Sequence, residues 1–146
     1  MKNKGFSLVE LVIVMAIMAV LIGVLAPTYL RYVERTEHTT DCSNIGAIMD
    51  ACEVICADPD VSWGNGVANE IVISIDEDGA EYSGSGPVDA LEYMAGADQF
   101  ELKADWGPFE ISAYKDANGH VEFDITDDDQ IQELKEYSEA LANRLE

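Results

Sequence analysis

Basic residues are scarce in this 146-residue chain: eight Lys and Arg stand against 29 Asp and Glu, a formal net charge of −21. Two of the eight, Lys2 and Lys4, precede residue 5. So thin a supply of cations leaves no electrostatic footprint for nucleic acid and no polybasic patch for an anionic membrane surface. Histidine is nearly as rare. Neither His38, in the polar stretch of the long helix, nor His120, after a tight turn, has a plausible catalytic nucleophile beside it, and both are expected on solvated surface. No Gly-x-Ser-x-Gly elbow, P-loop or dinucleotide fingerprint occurs, so no catalytic residue, cofactor or enzymatic activity is expected. The three cysteines, Cys42, Cys52 and Cys56, are an odd set, and none follows residue 56. Cys52 and Cys56 are four apart, a spacing that on a helix does not reach disulfide geometry. They are expected as reduced, buried thiols, with Cys42 the most accessible of the three.

What the chain does contain is concentrated at its start. After Met1-Lys2-Asn3-Lys4 comes Gly5-Phe6-Ser7-Leu8-Val9-Glu10, and then an uncharged run through Ala26 that Thr28–Leu30 extend. That is enough apolar chain for a spanning helix of about 20 residues. Glu10 is the one charge within it. An ionisable group at membrane depth is costly and by default functional. Ser7, Leu11, Ile13 and Val14 cannot neutralise it, so its expected partner lies outside the chain. Two simpler origins compete for the run. A secretory signal could be cut after Val24-Leu25-Ala26, but Pro27 should block that cut. In an ordinary signal anchor, Glu10 would lie shallow near the headgroups.

The stub, Gly5, Phe6, Glu10 and the uninterrupted run together resemble the N-terminus of type IV pilins and pseudopilins. The resemblance covers residues 1–57 well and the rest in outline. It implies that a prepilin peptidase cuts after Gly5 and that Phe6 becomes the N-methylated first residue. It implies further that Glu10 pairs with the amino terminus of a neighbouring subunit, and that the segment between Gly23 and Pro27 kinks or loses helical order in a filament. The partners implied are other copies in a helical homo-oligomer, the peptidase, the membrane-bound assembly machinery, and the membrane itself before assembly. The implied location is the cytoplasmic membrane for the precursor and an extracellular filament afterwards. The implied role is that of a pilus-like structural subunit, or alternatively a pseudopilin of a type II secretion or DNA-uptake machine. Many pilins close a C-terminal loop with a disulfide, which this chain cannot do. Pseudopilin heads often hold calcium. Asp76-Glu77-Asp78 and Asp116-x-Asn118-Gly119 offer oxygens but miss the calcium-loop spacing, and no metal site is assigned.

Residues 1–5 thus read as leader, 6–30 as the membrane or filament-core half of a helix, 31–57 as its amphipathic half, and 58–146 as a globular head. At 1.5 Å per residue a helix over 6–57 would be roughly 78 Å long. Tyr29, Val33, Ile45, Ile48, Met49, Cys52, Ile55 and Cys56 form its apolar stripe, diluted across Thr36–Ser43. Asp58-Pro59-Asp60 stops it. Strands are expected at Glu70–Ile75, Gln99–Lys103, Phe109–Tyr114 and His120–Thr126, the last two joined by a hairpin with Asn118-Gly119 at its tip. Ser83–Pro87 reads as a flexible loop, Val88–Met94 as a short helix, and Asp127–Asp129 as the start of a terminal helix reaching Leu145. The predicted class is α+β: a long N-terminal helix packed on a small antiparallel sheet, with a C-terminal helix that covers a sheet edge of its own head, the more economical arrangement, or contacts a neighbouring subunit.

Overall fold

The computed structural model describes residues 5–76, 78–96, 102–104, 106–126 and 128–145. The chain forms two compact units, Met1–Thr36 and Glu37–Glu146. Helix α1, Leu8–Ala57, contributes to both.

In the first unit the helical assignment passes through Gly23 and Pro27 without a break. Its large apolar side chains from Leu8 to Tyr32 are exposed on every side, and the segment is long and apolar enough to cross a membrane. An all-round apolar helix with no protein cover needs lipid or other helices as its solvent.

The second unit is the head. Four strands, β1 (Ile71–Asp76), β2 (Gly79–Gly84), β3 (Phe109–Lys115) and β4 (Val121–Ile125), make one antiparallel sheet of order β2-β1-β3-β4. Alternation directs Ile71, Ile73, Ile75, Phe109, Ile111, Ala113, Phe123 and Ile125 to one face. These join Ile45, Ile48, Met49, Cys52 and Ile55 of α1 in one buried cluster. Each fully buried Ile or Met in it contributes about 2 kcal/mol of transfer free energy.

The β3–β4 turn is the expected hairpin. Gly119 takes φ +90°, and Asp116 and His120 close the turn through an N–H···O bond of 2.8 Å. The short helix is present as α2, Val88–Ala95.

Three expectations need correction. The fourth strand is Gly79–Gly84, whose Gly and Ser content hid it, so Ser83 and Gly84 belong to the sheet. The expected strand Gln99–Lys103 falls mostly outside the described residues, and Leu102 and Lys103 are irregular. The terminal helix is two helices, α3 (Asp128–Tyr137) and α4 (Glu139–Leu145). Ser138 divides them: its Oγ accepts the Leu141 N–H at 3.3 Å, the side-chain capping bond that starts a new helix. Asp127, read as part of the cap, lies outside the described residues. Ile131, Leu134, Leu141, Ala142 and Leu145 are buried in the common core, so the tail covers its own head.

Candidate functional site

Gly5, Phe6 and Ser7 precede the helix in non-helical, exposed backbone, with Phe6 90% exposed. Ser7 is the cap. Its Oγ accepts the Val9 N–H at 3.3 Å and its carbonyl accepts the Leu11 N–H at 3.2 Å. Glu10 reaches back, and its Oε2 accepts the Ser7 N–H at 2.9 Å. Together these bonds resemble a capping box: the acidic residue three positions on takes the cap serine's N–H, while the serine hydroxyl takes the N–H of Val9 in place of that of Glu10. The carboxylate therefore has a hydrogen-bond donor within its own chain, although a neutral N–H does not balance its charge. Among the described residues, no cation lies beside that charge. Ser-x-x-Glu ahead of an apolar run is a readable sequence signal, and Ser7-Leu8-Val9-Glu10 displays it openly. Gly5, Phe6 and Glu10 thus come together at one helix end, while Gly23 and Pro27 sit further along the same segment.

These features, on a long helix followed by a four-stranded antiparallel sheet, coincide with a direct match. Residues 1–26 match the family described as the prokaryotic N-terminal methylation motif. The N-terminus carries the methylation motif, and the long helix with its antiparallel sheet is consistent with a type IV pilin-like α+β fold. Among curated proteins, a "Fimbrial protein" of Pseudomonas aeruginosa is 42% identical over 51 residues, 35% of this chain and 33% of that protein. "Prepilin peptidase-dependent protein A" of Clostridium perfringens (strain 13 / Type A) is 34% identical over 61 residues, 42% of this chain and 44% of that protein. The match therefore spans between a third and a half of these relatives' own lengths. No solved structure gives a significant match.

In the head, the polar stretch of α1 is solvated only in part, because His38 and Asp41 are buried. His38 is only 6% exposed, stacked on Tyr137 at 4.2 Å and set edge-on to Trp106 at 4.6 Å. This corrects its expected place on the surface. Asp41 is fully buried one turn later, and its carboxylate accepts the Lys103 N–H, the Ala104 N–H at 2.8 Å and the Trp106 indole N–H at 3.0 Å. The donors lie more than sixty positions away, and no local sequence signal connects them. His120 is exposed at the hairpin, as expected.

All three cysteines are free thiols. Burial pushes Cys42 up to about 11 and Cys52 up to about 12. Cys56 is the half-exposed one, donating its S–H to the Gly119 carbonyl at 3.4 Å. The expected order of accessibility is therefore reversed: Cys42 is covered because His38 and Asp41 extend the buried stripe toward the N-terminus.

The acidic turns use their oxygens internally. Asp76 Oδ1 accepts the N–H groups of Asp78 and Gly79, and Asp116 Oδ1 accepts those of Asn118 and His120. The His120 N–H holds the Asp116 carboxyl below its ordinary value, assisted by Asn118. An open depression of about 420 Å³ is lined by Asp76, Asp78, Glu81 and Glu92 together with Gly79, Ala80 and Tyr82. Glu77 lies outside the described residues. Among the described residues, no three His, Cys, Asp or Glu side chains come close enough together to hold a metal ion.

Proposed function

We propose that this chain is the structural subunit of a type IV pilus-like extracellular filament and has no catalysis of its own. The observation that carries the reading is the junction at residues 5–10: an exposed Gly5-Phe6 bond, a capped helix start, and one carboxylate heading an uncovered apolar helix. The precursor rests in the cytoplasmic membrane through residues 6–30. A prepilin peptidase cuts after Gly5, and the freed Phe6 amine is methylated. Membrane-bound machinery then moves the helix from lipid into a homo-oligomeric fibre core, where helix–helix contacts replace lipid contacts. Glu10 is matched there by the amino terminus of an adjacent copy, because a buried charge left alone costs several kcal/mol. Gly23 and Pro27 mark the stretch that yields during this transfer, since proline leaves one backbone carbonyl without its helical donor. The charge of −21 becomes −23 once Lys2 and Lys4 leave, which keeps crowded heads soluble.

Electron microscopy of cells with and without the gene tests the reading, together with the intact mass of the mature chain. Surface filaments that vanish with the gene, built from a methylated chain starting at Phe6, are the expected result. A mature chain starting at Met1 or Pro27 contradicts it. The same N-terminal half would serve a pseudopilin of a type II secretion or DNA-uptake machine. Loss of secretion or uptake without loss of surface filaments selects that role.

A further inference from the structure

We infer that, before any assembly, Glu10 lies at the headgroup boundary of the bilayer and not in its hydrocarbon, in a register fixed at the far boundary by Tyr29, Arg31 and Tyr32. The inference concerns the membrane-resident chain alone and does not depend on the filament reading. Three observations carry it.

The first is length. Leu11 to Leu30 is an uncharged stretch of 20 residues, with Glu10 before it and Arg31 after it. Tyr29 follows Glu10 by 19 positions and Tyr32 by 22. At 1.5 Å per residue these separations are about 28 and 33 Å, bracketing a hydrocarbon thickness of about 30 Å. Placing Glu10 well inside the hydrocarbon would push the tyrosines and Arg31 clear of the far interface by the same distance.

The second is chemistry at the far end. Tyr29 and Tyr32 are 66% and 70% exposed, and Arg31 beside them is exposed too. Amphipathic rings three positions apart, flanking a cation, fit the interfacial layer, where the ring body meets lipid and the hydroxyl meets water. The third is the near end. The helix begins at Leu8, and the Glu10 carboxylate accepts the Ser7 N–H through one of its oxygens. The opening turn of a helix carries backbone N–H groups that its own carbonyls cannot satisfy. Within lipid those groups and the remaining carboxylate lone pairs would find nothing, while in the headgroup layer water supplies them.

The consequence is a division of cost. In the membrane the Glu10 charge is hydrated and helps to start the helix. Its demand for a cation arises only when the helix leaves the interface.

The test uses the full-length chain in phosphatidylcholine vesicles without assembly proteins, so its outcome is independent of whether filaments form. Val9→Trp, Val20→Trp and Tyr29→Trp are made singly, and quenching is compared between lipids brominated near the headgroup and near the chain end. The signal of Trp63 and Trp106 in the unsubstituted chain is subtracted. The expected result is at least twofold stronger shallow quenching for Val9→Trp and Tyr29→Trp, and the reverse for Val20→Trp. Adding Tyr29→Ala and Tyr32→Ala to Val9→Trp should change its shallow-to-deep ratio by about twofold as the register loosens. Deep quenching of Val9→Trp, shallow quenching of Val20→Trp, or a ratio unmoved by loss of both tyrosines overturns the inference.

Discussion

Asp41 on the long helix accepts the indole N–H of Trp106 at 3.0 Å, and neither residue has meaningful contact with water. The same carboxylate takes the N–H groups of Lys103 and Ala104, so one side chain fastens an irregular segment that strand pairing does not hold. A buried carboxylate satisfied by several donors is stable as it stands. Removing it strands every donor at once.

Asp41→Ala should therefore destabilise the head by about 3 kcal/mol, the scale of losing charge-assisted bonds and leaving their donors unpaired. Asp41→Asn, which retains one carbonyl oxygen but loses the charge, should cost about half as much. Denaturant unfolding of the full chain in detergent, followed by tryptophan fluorescence, measures both. Equal stabilities for Asp41→Ala and the parent chain would show that the segment holds itself.

Gly84 provides a second test. It ends β2 at φ +117°, and Ser85 and Gly86 both donate to the Glu70 carbonyl at 3.0 and 2.9 Å. A Cβ at Gly84 would run into that same carbonyl oxygen. Gly84→Ala should cost about 3 kcal/mol from backbone strain and the forced loss of these bonds. Gly46, inside α1 with open space around it, is the control: Gly46→Ala should stabilise by about 0.5–1 kcal/mol. Thermal unfolding of the two variants should thus shift in opposite directions.

The cysteines predict an order of reaction. Only the thiolate reacts, and at pH 8 a thiol held near 11 is ionised about one part in a thousand. In the native protein, Cys56 should be alkylated first and Cys42 and Cys52 far more slowly, with all three labelled after denaturation without reductant. Peptide mass spectrometry over a time course reads this directly. The pH dependence has a definite sign. Below the unfolded value of 9.0, both states keep the protons of Cys42 and Cys52. Between 9 and about 11–12, only the unfolded state releases them, so stability falls as pH rises through that window.

At Glu10 the capping and charge roles can be separated. Glu10→Gln retains an oxygen for the Ser7 N–H and loses the charge, whereas Glu10→Ala loses both. If the amino terminus of a neighbour is the partner in the fibre, both variants should insert into the membrane and lose their leader, yet form few or no filaments. Filament counts by electron microscopy beside immunoblots of leader cleavage give the answer. Full filament numbers from Glu10→Gln would mean that hydrogen bonding, not charge, is what assembly needs.

The parts of the fold legible in the sequence were those where periodicity and burial agree. Ile71–Ile75 is a short β-branched run, Phe109–Lys115 and Val121–Ile125 flank an Asn-Gly turn, and Ile45–Ile55 repeat at helical steps. β2 escaped because Gly79, Ser83 and Gly84 carry a turn's composition, while its place is set by pairing with β1. His38 and Asp41 escaped because polar residues in a long helix look solvated until a distant segment covers them. The break at Ser138 needs only one capping hydroxyl. At the candidate site the motif was plain, and its Ser-x-x-Glu spacing also encodes the Ser7–Glu10 bond, which a reading by charge alone does not reach.

The core of the head is closed by residues from both of its sequence extremes. Ile45, Met49 and Cys52 on one side meet Leu141, Ala142 and Leu145 on the other, and Arg144 fixes the closure with bonds to Asp50 and Glu53 at 2.9 and 2.8 Å. A chain emerging in order from the ribosome must therefore hold half of this seam open until residue 145 is out. At synthesis rates of about 5–20 residues per second, that wait is roughly 5–20 s. During it, the helix stripe is an uncovered apolar surface of the head. The nascent chain thus needs either a chaperone for those seconds or enough negative charge downstream to keep neighbouring chains apart.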